Sequence, residues 1–487
     1  MSGTYCMRHQ RWFLSALLLL SELFLPLQAQ LLNEKYFYSK VSQKRLQQNV
    51  HELVKCGNRL GGTKSGDKAA IVVFNKFKAY GFKPEMASDP QKLVYSNDDW
   101  QCQIEQPNRL SGLIQHDWLA GYSPSAKQDT VHMTFIKSIA DIDEGKIHNG
   151  AVLIDQHPSE KMYEKLVNAG ARCILSFVTV GSSAYSNWAM ISTLKESNKN
   201  PIPVFDIPNI AGRRLCEEMG KGTYVSIKYS CKTSFAQGKP KTVIATLQGQ
   251  SDAYYILCAH GDSDSGGPGA DDNASGDSGV LEIARVLKLL VSNKTLPPPK
   301  KSIQFIVWGS EYYSSSNYVK LHAKDLKNIL GVINFDEIGI GKTRNCIYFE
   351  GNDVPHNHDL LKLFQQIGED YVGKHGFWKE ATTNPSQGGT DSYVFLPKYL
   401  DHLHVPVEII PSITVFTAAW NESKTMEQTR GWSSKAWKGH PDSVTIDYSP
   451  YYHSSLDIPV LTTDKEPAKM IWGVKSVGIA LIRLLWQ

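Results

Sequence analysis

The chain has 487 residues, room for roughly three folding units at about 150 residues each. Lys and Arg (52) outnumber Asp and Glu (48) by only four, too little charge for a nucleic-acid-binding field spread over this length. With 41% hydrophobic, 21% charged and 10% aromatic residues, the mixture excludes a largely disordered or collagen-like chain.

Arg8, His9 and Arg11 precede an apolar stretch from Trp12 to Leu20 that continues past Glu22 to Pro26. A charged lead and a short apolar run read as a secretory signal over 1–29, cut near Ala29. The run falls short of the ~20 apolar residues a span requires, so a secreted or periplasmic protein without a stable membrane span is expected. Beyond Cys6, the cysteines at 56, 102, 173, 216, 231, 258 and 346 are odd in number and fit no C-x-x-C metal pattern. Cys173 and Cys258 lie inside apolar runs and read as small core residues. Asn293-Lys-Thr and Asn421-Glu-Ser are glycosylation acceptors.

An amphipathic helical pattern from Ser42 to Tyr80 is broken by Cys56-Gly-Asn-Arg-Leu-Gly-Gly-Thr-Lys-Ser-Gly and resumes at Lys68, with Ala70, Phe74 and Phe77 available to one face. From about Gly121 to Ser234 the texture changes to short β-rich runs: Val131–Phe135, Gly150–Asp155, Ala171–Val178 and Pro203–Pro208, with a helix over Glu160–Ala169 between two of them. This block reads as a small inserted β-rich domain. After it, strand and helix alternate. Ala253–Ala259 is strand-like and Gly279–Leu290 is a helix with Val280, Ile283, Ala284 and Leu287 on one stripe. Ile303–Trp308 is a strand, Asn317–Leu326 a helix and Ile329–Phe335 a further strand. Near-continuous apolar strands in such alternation predict an α/β fold, a sheet flanked by helices on both faces.

Polar clusters stand just past the strand ends, where open α/β sheets place their ligand sites. Cys258-Ala-His260-Gly-Asp262 closes one strand, and Asp271-Asp272-Asn273-Ala-Ser275 opens a helix. Glu311 follows a third segment, Asp336-Glu337 a fourth, and His453 lies far downstream with Asp457. Singly, each has an ordinary role: a strand-end His, a helix cap, a turn Asp. Together they are a hard-ligand set suited to zinc, which takes imidazole and carboxylate and leaves a position open for water at catalytic sites.

The order His, Asp, Glu, Asp, His at element boundaries resembles the dizinc exopeptidase family, which includes secreted aminopeptidases and glutamate carboxypeptidases. The resemblance implies a mixed sheet flanked by helices in the zinc exopeptidase fold. The inserted block looks like the family's protease-associated domain, in an arrangement similar to plasma glutamate carboxypeptidase. It divides the chain into a leader (1–29), an N-terminal part of the peptidase domain (30–120), the protease-associated domain (121–235) and the catalytic domain (236–487). It further implies one or two zinc ions per chain and short peptide substrates, and it leaves a homodimer open. Carried over by position, His260 and Asp336 hold one zinc, His453 the other, and Asp272 bridges them. Glu311 is the general base, and Asp262 and Asp457 are carboxylates that orient ligand histidines. Gly388-Gly-Thr390-Asp391-Ser392 resembles a loop that helps form the substrate site.

One position departs from the pattern. Relatives carry two consecutive glutamates, base then ligand, whereas this chain reads Glu311-Tyr312-Tyr313-Ser314-Ser315-Ser316. Either Tyr312 stands in the ligand's place, or Glu311 is the ligand and Ser310 stands where the base belongs. Three readings follow: a divergent metallopeptidase repaired by Tyr312 or Glu337, a catalytically impaired binding or receptor-like protein on the same scaffold, and a single-zinc transferase resembling glutaminyl cyclase. Trp420, Trp432 and Trp437 fall in a long segment before His453 that suits either a lip over the site or a loop pinned to the surface by buried tryptophans.

Overall fold

The computed structural model describes residues 30–142, 147–178, 188–263, 266–340, 346–351, 354–371, 380–384, 390–417 and 451–486. The expected leader, Asn421, the three tryptophans of the expected lip and Gly388-Gly389 lie outside the described residues.

Among the described residues two sheets organise the chain, and their strands are counted there. The larger has eight strands in the order β1-β9-β11-β10-β12-β15-β13-β14: β1 (Glu85–Ser88), β9 (Lys241–Leu247), β10 (Tyr254–His260), β11 (Ser302–Trp308), β12 (Ile329–Phe335), β13 (Cys346–Glu350), β14 (Glu380–Asn384) and β15 (Ser412–Phe416). The central strands β11, β10, β12 and β15 run parallel, while β9 and β13 join antiparallel, so the sheet is mixed. Alternation along the apolar strands divides the core. Leu257, Ala259, Phe305 and Val307 face one cluster; Ile256, Cys258, Ile306 and Trp308 face the other.

The first cluster is covered by α1 (Gln43–Val54), α2 (Lys64–Ala79), α5 (Gly276–Ser292) and α9 (Ala468–Trp486), which contribute Leu46, Phe77, Val280 and Val477. Thr63 caps α2, its hydroxyl accepting from the Gly66 amide, so that helix starts four residues before the expected Lys68. The helix expected over Asn317–Leu326 is α6, Tyr313–Leu321, followed by a short 3-10 turn over Leu326–Asn328. Among the described residues no helix is long and apolar enough to cross a membrane.

Seven strands form the second sheet, in the order β2-β8-β4-β5-β6-β7-β3: β2 (Lys92–Gln106), β3 (Trp118–Leu119), β4 (Ala126–Phe135), β5 (Ala151–Ile154), β6 (Cys173–Ser176), β7 (Val204–Asp206) and β8 (Ser226–Gly238). Its two faces have their own cores, under α3 (Glu160–Asn168) and α4 (Asn209–Gly220). The unit begins at Lys92, earlier than the expected 121, because β2 pairs along its whole length with β8, from Lys92↔Gly238 to Gln106↔Ser226.

Glu34 and Arg483 tie a helical segment over 30–38 to α9. Arg483 Nε donates to Glu34 Oε1 at 2.8 Å and Nη2 to Asp370 Oδ2 at 2.8 Å, and the Tyr371 hydroxyl also donates to the wholly buried Glu34 carboxylate. Arg483→Met leaves Glu34 buried without its cation. A loss of about 3–5 kcal/mol in unfolding free energy is expected in a denaturant titration.

Candidate metal centre

The parallel strands β10, β11 and β12 lie side by side, and the loops at their C-terminal ends carry the polar cluster. His260 ends β10, opposite Trp308 at the end of β11; Glu311 follows β11, and Asp336 follows β12 directly. Ligand atoms of His260, Glu311 and Asp336 lie within 4.8 Å of one another.

His260 is buried. Its Nδ1 sits 3.1 Å from the Asp262 carbonyl oxygen and 3.2 Å from Asp262 Oδ1. Both are acceptors, so Nδ1 carries a proton and Nε2 is the nitrogen that faces the site. That Nε2 lies 3.4 Å from Asp272 Oδ1 and 3.6 Å from Asp336 Oδ1. The other oxygen of Asp272, Oδ2, lies 3.0 Å from His453 Nε2. One carboxylate is therefore shared between two imidazoles that are far apart in sequence. Burial works to lower the His260 pKa, but the carboxylates of Glu311, Asp336 and Asp262 outweigh it and hold the imidazole well above its ordinary value.

Hydrogen bonds fix the carboxylates. Asp457 accepts from the backbone amides of Asp271 (2.8 Å) and Asp272 (3.0 Å). It thus positions the loop that carries Asp272. Asp262 has the expected place beside His260 and also accepts from the Glu311 amide at 3.0 Å. The Thr390 hydroxyl donates to Asp336 Oδ2 at 2.6 Å, and Asp391 accepts from the Tyr312 amide at 3.0 Å and the Ser315 hydroxyl at 2.6 Å. The described part of the Gly388–Ser392 loop, expected beside the substrate, thus buttresses the centre from within. Tyr312 stacks on Tyr399, with 6.4 Å between ring centroids, and packs on the apolar cluster beneath the sheet. Burial and the nearby Glu311, Asp391 and Asp336 carboxylates push its phenol up, away from tyrosinate.

Arg59, within the early Gly-Asn-Arg-Leu-Gly-Gly segment, is a residue whose role the sequence did not reveal. Its Nε donates to the Gly261 carbonyl at 2.9 Å, Nη1 to Pro268 at 2.8 Å and Nη2 to Gly269 at 2.7 Å. These carbonyls belong to the two ends of the loop that separates His260 from Asp272, so one guanidinium sets the span between them. Arg59, Tyr312, Glu337 and His453 all have positive φ (55°, 51°, 49° and 47°). Bulky side chains hold that conformation at a cost of about 1–3 kcal/mol each, only where the surroundings over-determine it.

Beneath the loop, Asp277 is wholly buried, and neither carboxylate oxygen has a hydrogen-bond partner among the described residues. Burial raises its pKa from 3.8 to about 8, opposed by the Arg59 guanidinium. Between those values the unfolded chain has released a proton that the folded one retains, so the residue's contribution makes stability fall as pH rises. With chelator present, Asp277→Asn is expected to raise the melting temperature more at pH 7 than at pH 4.5.

The donor set suits divalent zinc: two imidazoles and several carboxylates, converging on one shared aspartate. The acids are in excess. Asp262 Oδ2, Asp271 Oδ2 and Glu337 Oε1 are buried without a hydrogen-bond partner among the described residues. Buried carboxyls at this density are held in the charged form by a cation.

Residues 242–473 match the model of peptidase family M28. Aminopeptidase YwaD of Bacillus subtilis is 29% identical over 389 residues, 73% of this chain and 75% of that protein. Leucine aminopeptidase 2 of Arthroderma otae is 24% identical over 328 residues, 64% of this chain; the match spans only 62% of the fungal protein's length. Among solved structures, a peptidase M28 precursor from Shewanella amazonensis superposes with a TM-score of 0.66 at 17% identity, covering 93% of this chain and 96% of that one. A zinc aminopeptidase from Bacillus subtilis gives 0.61 at 18% identity, covering 92% and 96%. The matched segment, residues 242–473, carries His260, Asp272, Glu311, Asp336 and His453, and through it this chain is similar to peptidase family M28.

Proposed function

We propose that the chain is a zinc-dependent aminopeptidase that shortens peptides from the amino end. The observation that carries this reading is Asp272, whose two oxygens are divided between His260 and His453 while Glu311 and Asp336 gather beside the first. In this reading His260 and Asp336 hold one zinc, His453 the other, and Asp272 spans both. Bound there, zinc supplies Lewis acidity toward the scissile carbonyl and lowers the pKa of a water. Glu311 takes the proton of the attacking water and passes it to the departing amine. Asp262 keeps the His260 tautomer with Nε2 free and holds the Glu311 backbone by its amide. The relatives named aminopeptidases, two of them described above, favour the amino end over the carboxyl end. A leader over 1–29 makes the mature enzyme secreted or periplasmic, and the second sheet is its protease-associated domain.

The test is hydrolysis of aminoacyl anilides, dipeptides and carboxyl-blocked peptides by the mature chain, with zinc and with chelator. Cleavage at the amino end that chelator abolishes and zinc restores is the expected result. Zinc binding without cleavage of any substrate would instead select the scaffold reading raised by Tyr312.

A further inference from the structure

We propose that the second sheet is a working part of the metal centre: its segment 188–193 positions His453 and so sets the zinc affinity on that side. The inference rests on the metal-centre reading above and goes beyond it by giving the inserted sheet a role in ligation.

The segment is strapped to its own sheet. Ala189 N donates to His116 O at 3.1 Å, Gly121 N to Ser192 O at 2.9 Å and Leu194 N to Gly121 O at 2.9 Å. Asp206, buried at the end of β7, accepts from the Ser192 amide at 2.7 Å and from its hydroxyl at 2.8 Å. The Ser176 hydroxyl also donates to Asp206, and His157 Nδ1 lies 3.4 Å away. A short segment outside the named strands is thereby given the rigidity of the sheet beneath it.

Its other edge meets the loop that carries the ligand. Ile191 N donates to the His453 carbonyl at 2.6 Å, Met190 and Ser454 form an antiparallel bridge, and the Trp188 and Tyr451 rings lie 5.0 Å apart. His453 is held in the left-handed region at φ 47°, its ring stacked on Tyr452 at 3.8 Å with Nε2 on Asp272. That backbone geometry must be imposed from outside. On the far side the same loop is fixed by Asp457 to the amides of Asp271 and Asp272. Ile191 supplies the opposing anchor, and His453 is suspended between the two sheets. Orienting contacts behind a ligand typically change metal affinity by about 10–100-fold.

Ile191→Pro removes the donated amide hydrogen, Ile191→Val keeps it, and Asp206→Ala loosens the strap from the far side without touching the loop. In the full chain, zinc affinities are measured by competition with a chromophoric chelator. His453→Ala identifies the ion held on that side, and circular dichroism verifies folding. Ile191→Pro and Asp206→Ala are expected to weaken that ion by about 10-fold or more and the other by less than twofold, with Ile191→Val at wild-type values. If Ile191→Pro does not fold, Asp206→Ala decides alone. Folded variants that keep wild-type affinity for the His453-side ion, or lose both ions equally, overturn the proposal. Wild-type protein that binds no zinc overturns the metal-dependent reading itself and the proposal with it.

Discussion

Glu311→Gln is expected to lower kcat by about 10²–10⁴-fold, the range lost when a general base is removed, with KM little changed. The substitution is nearly isosteric, and the hydrogen bond to Asp262 survives because it comes from the Glu311 backbone amide. Zinc content separates the two roles open to this carboxylate. Glu311 lies with His260 and Asp336 in one cluster of ligand atoms. A variant that retains its zinc while losing turnover assigns Glu311 as base. A variant that loses turnover together with zinc makes it a ligand, and Ser310 then stands where the base belongs.

Asp272→Asn should have the larger effect on metal. Its two oxygens face two histidines at 3.4 and 3.0 Å, and an amide offers an acceptor to only one of them. The shared negative charge also disappears from between the metal positions. Lewis-acid stabilisation is worth several kcal/mol, and at about 1.4 kcal/mol per tenfold this corresponds to a loss near ~10³ in kcat/KM. Equilibrium dialysis against zinc, with kinetics at matched zinc activity, checks both quantities. Wild-type zinc stoichiometry and affinity in this variant would remove Asp272 from the bridging position.

Much of this site could be read from the sequence because its chemistry sits where hydrophobic pattern ends. The runs 254–260, 302–308 and 329–335 are apolar on both faces, so their ends are sharp, and the polar residue after each is conspicuous. His260, Glu311 and Asp336 stand out for that reason, and Asp272 stands out because it opens the helix after the first of these runs. What stayed hidden has no pattern of residue types to betray it. Arg59 acts on three backbone carbonyls, which every residue carries, from about two hundred positions away. Asp457 acts on two backbone amides, which likewise every residue but proline carries. The start of the second sheet was missed because β2, with Ser96-Asn-Asp-Asp99 in its middle, is exposed over much of its length and reads as loop. The contact between Ile191 and His453 joins residues far apart in sequence through a main-chain bond, so side-chain identity reports nothing of it.

The pairing of Lys92 with Gly238 means that the chain leaves the larger sheet and returns to it at neighbouring points. Asp89 N already donates to Pro240 O at 2.9 Å just outside that pair. To the rest of the chain, everything between is topologically a hairpin, however many residues it contains. The entropy of closing it grows only with the logarithm of its length, about 0.6 kcal/mol per doubling. Growth or shrinkage of the insert therefore hardly disturbs the encounter of β1 with β9, and the constraint on its evolution comes from the far end, where Met190 must still reach Ser454.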